Sequence, residues 1–117
     1  MTDHTAEHRS QYMNECIDNC MRCHAMCLET INYCLGEGGQ HADGTRISLL
    51  KVCADICITS AGAMLLGAAV HTVTCAACAQ ICRQCAQSCE AMGDPEMDRC
   101  ARLCRRCADS CDSMAGG

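Results

Sequence analysis

The chain has no tryptophan, no phenylalanine and only two tyrosines among its 117 residues. Aromatic burial therefore cannot dominate its core. Proline occurs once, so few positions are barred from a helix interior. Strand-like runs of β-branched and aromatic residues are almost missing, while Ala, Leu, Met, Glu, Arg and Gln are common, which favours helix. Basic charge is scarce as well: nine Lys and Arg stand against fourteen Asp and Glu, for a net charge of −5. Without a basic patch interleaved with aromatics, a nucleic-acid role is not expected. The mild acidity mainly keeps the chain soluble. No apolar run reads as long enough to span a membrane. Met1 to Asn14 is polar, lacking the apolar stretch and small-residue cleavage site of a secretory signal, so a cytoplasmic location is expected.

What the chain has in excess is cysteine, sixteen in all. Cys75, Cys78, Cys82, Cys85 and Cys89 step by 3-4-3-4, and Cys100, Cys104, Cys107 and Cys111 by 4-3-4. Cys16, Cys20, Cys23, Cys27 and, one missed step later, Cys34 repeat the pattern, and Cys53 and Cys57 begin a fourth stripe continued by Ser60 and Met64. This spacing keeps residues on one face of an α-helix. Thiols thus occupy positions where a bundle normally carries Leu or Ile.

The length suits one domain spanning 1–117. Helices are predicted over about 5–35, 45–66, 72–92 and 95–114. Gly36-Glu37-Gly38-Gly39 stops the first, Asp43 or Thr45 caps the second, and Thr72 or Thr74 caps the third. Asp94 and Pro95 restart the chain as N-cap and first helical residue of the fourth. Short links between helices of similar length predict an all-α, antiparallel up-down-up-down four-helix bundle with a cysteine-lined core.

Disulfide-rich small domains are secreted and loop-rich, so a helical chain expected in the cytoplasm points instead to reduced thiols and metal. From Cys16 to Cys34 is roughly 27 Å of helix, and ligands strung along that length suit many ions rather than one structural zinc. Charge discriminates further. Sixteen buried thiolates would carry −16, a charge no dry core tolerates unpaired. Four tetrahedral Zn²⁺ would leave about −8 inside; Cu⁺ at one per thiolate would leave about zero, and soft sulfur selects Cu(I). Storage or buffering of Cu(I) is the leading expectation. The alternatives are a zinc or cadmium metallothionein-like buffer, or an iron–sulfur or redox protein, although CxxC within a continuous helix lacks the strand-to-helix context of redox motifs. No nucleophile with a paired base, and no phosphate loop, suggests an enzyme.

Met13, Met64, His71 and Met114 extend the four stripes at one end, one per helix, and are candidate Cu(I) ligands around a mouth. Met92, Met97 and Cys34 mark the other end. His24 and His41 read as surface residues, and the His4–His8 pair as a solvated helix start. Met21 and Met26, with Ile17, Leu28 and Ile31, read as an outer apolar flank; Arg83, Arg102, Arg105 and Arg106 point away from the stripes.

The chain resembles the cytosolic branch of the bacterial copper storage proteins. The residues carrying the resemblance are Cys16-x3-Cys20-x2-Cys23-x3-Cys27, Cys53-x3-Cys57, Cys75-x2-Cys78-x3-Cys82-x2-Cys85-x3-Cys89 and Cys100-x3-Cys104-x2-Cys107-x3-Cys111. The resemblance implies a homotetramer of such bundles, with Cu(I) held along the core and admitted at a Met- or His-bearing end. A copper chaperone or low-molecular-weight copper ligand is the expected delivery partner. Thr30, Ser60 and Met64 stand at stripe steps where a thiol is absent.

Overall fold

The computed structural model describes residues 9–115. Helix α1 spans Gln11–Glu37, α2 Gly44–Leu65, α3 His71–Glu90 and α4 Pro95–Ala115, with a short 3-10 turn at Gly39–Ala42; there is no strand among the described residues. The helix therefore begins later than the expected residue 5. Ser10 caps α1 by accepting a hydrogen bond from the Met13 N–H at 3.0 Å, which satisfies one of the free amides at the helix start. The His4–His8 pair lies outside the described residues.

Gly38 ends α1 at φ +70°, donating its N–H to the Cys34 carbonyl; a side chain would be strained in that left-handed conformation. Asp43 is the N-cap of α2, and its carboxylate accepts from the amides of Thr45 and Arg46. One capping expectation fails: helix α3 starts at His71 behind Val70, with no side-chain cap, and the hydroxyls of Thr72 and Thr74 donate backwards to the carbonyls of Ala69 and His71 instead. Asp94 and Pro95 do stand as N-cap and first residue of α4, with the Asp94 carbonyl accepting from the Asp98 N–H at 3.0 Å, while the Asp94 carboxylate accepts from Tyr33 and His41.

Each helix packs on its sequence neighbours, and α1 closes the ring on α4. The sulfur contacts give the directions. Cys16 and Cys20 meet Cys111, Cys23 meets Cys104 and Cys34 meets Met97, so α1 and α4 run antiparallel. Cys53–Cys82, Cys57–Cys78 and Met64–Cys75 show the same for α2 and α3. The body measures 51 × 21 × 20 Å, a long narrow rod.

That narrowness comes from small residues. Ala54 and Ala61 on α2, Ala79 and Ala86 on α3, and Ala101 and Ala108 on α4 are almost wholly buried at seven-residue intervals. Methyl-sized side chains let helix backbones approach closely. They lie beside the cysteine stripes and bring the thiols within reach across the axis.

Helix α2 corrects one expectation: its 22 residues, with an 18-residue window of mean hydropathy 1.5, are long and apolar enough to span a membrane by length and composition. Isoleucine, leucine and valine supply most of that hydropathy. Here Cys53, Ala54, Cys57, Ala61 and Met64 are turned into the bundle and buried.

Candidate metal centre

All sixteen cysteines are free thiols and all are fully buried. The heptad spacing places them on the inner face of each helix, and the bundle converts four stripes into a single column. Neighbouring sulfurs stand at closely similar distances: Cys20–Cys111 3.5 Å, Cys20–Cys107 3.6 Å, Cys57–Cys82 3.6 Å, Cys23–Cys104 3.7 Å and Cys78–Cys107 3.9 Å. Cys57 and Cys107 touch across the diagonal at 3.8 Å. Two sulfurs sharing a metal at a bond length of about 2.3 Å would be separated by about 3.8–4.0 Å. The column is thus close to ligating geometry as it stands.

The grouping is continuous. Cys20, Cys78, Cys107 and Cys111 form one set with all four sulfurs within 4.8 Å of one another. Cys57, Cys78, Cys82 and Cys107 form another; Cys23, Cys53, Cys57 and Cys82 a third; and Cys23, Cys27, Cys53 and Cys104 a fourth. Cys16, Cys75 and Cys111 make a triad at one end. Cys23, Cys53, Cys57, Cys78, Cys82, Cys107 and Cys111 each belong to two sets. A closed tetrahedral zinc site uses its thiolates exclusively, whereas these sulfurs are shared between adjacent positions. Beyond the four-membered sets, Cys100 and Cys85 beside it push Cys89 above the ordinary thiol range.

Protonation is correspondingly uneven. Cys57 is pushed well above the ordinary thiol range, first by its hydrogen bond to Cys107, with burial in the same direction. Cys104 rises through its bond to Cys100 and Cys111 through its bond to Cys107. Conversely, hydrogen bonds from Cys111 pull Cys107 down, and bonds from Cys104 pull down Cys53 and Cys100. A thiolate inside this column is stabilised by surrounding S–H donors. At Cys75 a bond from Cys111 pulls downward, but Cys16 and burial prevail and the thiol is pushed up to about 12.

The mouth residues meet different fates. Met64 is fully buried, with Sδ 4.0 Å from Cys75 Sγ. His71 is half-buried; its Nδ1–H donates to the Ala68 carbonyl at 2.9 Å, which leaves Nε2 to accept a ligand. Met13 and Met114 pack half-buried against the core. The antiparallel register brings all four to the end where Cys16, Cys75 and Cys111 lie.

Elsewhere the surface readings need correction. His24 is half-buried and donates from Nδ1 to the Ala54 carbonyl at 2.8 Å, tying α1 to α2. His41 packs edge-on against Tyr33, with ring centroids 5.6 Å apart, and its Nε2 lies 3.3 Å from Asp94. Tyr33 donates to the same carboxylate oxygen at 2.5 Å and holds Asp94 below the usual carboxylate range. Leu50 is fully buried one helical turn before Cys53, in line with the α2 stripe. Thr30 donates to the Met26 carbonyl, while the buried Ser60 hydroxyl has no partner. Arg83 pairs with Asp112 and Asp109, and Arg105 with Glu90, on the outer α3–α4 edge, as expected.

Sequence reasoning missed the alanine rows and the Tyr33–Asp94–His41 cluster. The first was detectable as a seven-residue repeat. The second joins residues far apart in the chain and left no local signal.

A family model described as "Copper storage protein" matches residues 9–116. The chain is 40% identical to the Nmul_A1745 protein of Nitrosospira multiformis, with a TM-score of 0.86 over 91% of this chain and 96% of that one. It is 36% identical to the Cu(I)-bound copper storage protein BsCsp3, with a TM-score of 0.84 over 90% and 99% of the two chains. It is 29% identical to a cytosolic copper storage protein from Streptomyces lividans loaded with five coppers, with a TM-score of 0.81 over 92% and 94%.

Proposed function

Because the chain belongs to the copper storage protein family, we propose that its sulfur column holds many Cu(I) ions as cargo, as one protein unit of about 1–117. The observation that carries this reading is the sharing of thiols between overlapping four-sulfur sets. Sharing favours small ions held by bridging thiolates, one positive charge per thiolate, over separate divalent sites. All sixteen cysteines are the proposed ligands. Each ion displaces one thiol proton, so the loaded core stays near neutrality and needs no counter-charge. The cargo is held and released; no catalytic step belongs to this reading.

Met13, Met64, His71 and Met114 are the proposed admission ligands. Neutral thioether and imidazole donors bind Cu(I) without adding charge, and the half-exposed members can receive an ion from a copper chaperone or a low-molecular-weight copper ligand. Fully buried Met64 then stands between them and Cys75. A cytoplasmic location is proposed as well. A reducing compartment keeps sixteen close-set thiols free, and the Streptomyces lividans relative is described as cytosolic.

A homotetramer is the proposed assembly. On the outer face of α1, Met21, Leu28 and Leu35 recur at seven-residue intervals and are 48%, 40% and 60% exposed, a row that a second copy would cover. Sedimentation of the reduced protein at four times the chain mass supports it; a monomer at all concentrations removes it.

The central test is an anaerobic titration of the reduced protein with Cu(I) against a chromophoric chelator, repeated with Zn²⁺. Saturation near one Cu(I) per cysteine, with a modest zinc count, is expected. Saturation at one to four ions would sink the storage reading and favour discrete sites.

A further inference from the structure

The column is thiol upon thiol except at its two ends, where a thiol meets a thioether. At the mouth the pair is Cys75 with Met64, 4.0 Å apart. At the far end it is Cys34 with Met97, with sulfur atoms 3.6 Å apart and both side chains without solvent exposure. The two ends differ in one respect. Cys75 belongs to the triad with Cys16 and Cys111, whereas Cys34 joins no set of three. Among the described residues, the sulfur in contact with the Cys34 thiol is that of Met97.

We propose that Cys34 and Met97 form a separate Cu(I) site that terminates the column at the end opposite the mouth. The proposal rests on the storage reading and adds a thioether ligand, Met97, that the cysteine pattern alone does not provide. Chemistry selects the ion. Two sulfurs cannot complete the four ligands of zinc, but soft donors in low number suit Cu(I). Charge agrees: Cu⁺ replaces the Cys34 S–H proton, which leaves to solvent, and the product with a neutral thioether carries no net charge. No electron is transferred in this exchange.

The site is also held in place. Cys34 lies in the last turns of α1 and Met97 in the first turn of α4. Tyr33, beside Cys34, donates to Asp94, which directly precedes α4, and His41 approaches the same carboxylate. That cluster clamps the two helix ends whose side chains supply the sulfurs, so the pair is set before the metal arrives. Met as simple filler would need only its volume to be apolar; here its sulfur faces the thiol. A thioether carries no charge, so this site binds more weakly than the all-thiolate positions. It fills last and empties first.

The test is NMR of the full-length reduced protein carrying [methyl-13C]methionine, titrated anaerobically with Cu(I). The Met97 signal is assigned through its loss in Met97→Leu, or by through-bond correlation in the unsubstituted protein should that variant not fold. The Met97 methyl signal is expected to shift within the last equivalents, and Met97→Leu to saturate about one equivalent lower with an unchanged metal-free melting temperature. A Met97 signal that moves no more than that of half-buried Met92 between empty and saturated protein overturns the site, even when the chain fills to one ion per cysteine. Filling that stops at one to four ions overturns the storage reading itself.

Discussion

Replacing Ser60 with cysteine is expected to stabilise the metal-free bundle and enlarge its store. Ser60 is fully buried, and its hydroxyl has no hydrogen-bond partner. It follows Cys57 by one helical turn and precedes Met64 by another, so it stands in the stripe. The pairings Cys57–Cys78 and Met64–Cys75 place it opposite the turn between Cys75 and Cys78. A buried donor left unmade costs about 1–3 kcal/mol. A thiol behaves as a small hydrophobe with a weak S–H donor and largely avoids that cost. After discounting for the larger sulfur atom, a gain of about 1 kcal/mol is expected, which for a chain of this size corresponds to roughly 4 °C in melting temperature. Calorimetry of both reduced proteins under nitrogen measures the first effect, and native mass spectrometry of the saturated proteins counts the ions. One additional Cu(I) is expected in Ser60→Cys. A variant less stable than the parent would show that the hydroxyl is satisfied. An unchanged ion count would show that position 60 does not face the column.

Loading at neutral pH should release about one proton per Cu(I), because sixteen buried thiols cannot be ionised together; a pH-stat titration releasing under half that number would refute protonated storage. Burial raises Cys34 and contributes to the rise at Cys57, Cys89 and Cys104. A raised thiol contributes stability that is full below its unfolded value, about 8.5, and is lost as pH climbs beyond it. The lowered thiols, Cys16, Cys23, Cys53, Cys78, Cys100 and Cys107, oppose this, but the other ten are raised. Urea unfolding of the metal-free protein should therefore show a plateau through neutrality and a decline above about pH 9, and a midpoint rising with pH there would refute it. Cys57 serves two four-sulfur sets, so Cys57→Ala should remove more than one equivalent while Cys34→Ala removes one; equal losses measured by native mass spectrometry would argue against shared sulfurs. Tyr33→Phe removes the donor that holds Asp94 below the usual range. That lowered carboxyl stabilises the fold above its unfolded value and loses the contribution as pH falls, so Tyr33→Phe should lower the melting temperature at pH 7 more than at pH 3.

Periodicity was enough to determine four helices, their inward faces and their soft chemistry, because a 3-4 spacing has one structural meaning in a chain so poor in proline and β-formers. Asp43 as a cap and Gly38 as a stop were legible for the same local reason: a backbone amide or a left-handed dihedral is satisfied by a residue next to it. Packing decided the rest. Whether Leu50 joined the stripe or its flank depended on which of two adjacent residues turned inward, and that depends on the neighbouring helix. His24, off the stripe, and His41, in a loop, were expected at the surface and became half-buried because α2 offered the Ala54 carbonyl to one and Asp94 lay against the other. The Asp94 carboxylate was claimed by Tyr33 from across the bundle, while only its carbonyl serves the helix it precedes. The sharing of sulfurs, above all the diagonal contact of Cys57 with Cys107, required the register between helices. Spacing along one helix places a thiol on a face. Only the meeting of four faces, brought close by rows of alanine, sets which thiols lie within bonding distance of one ion.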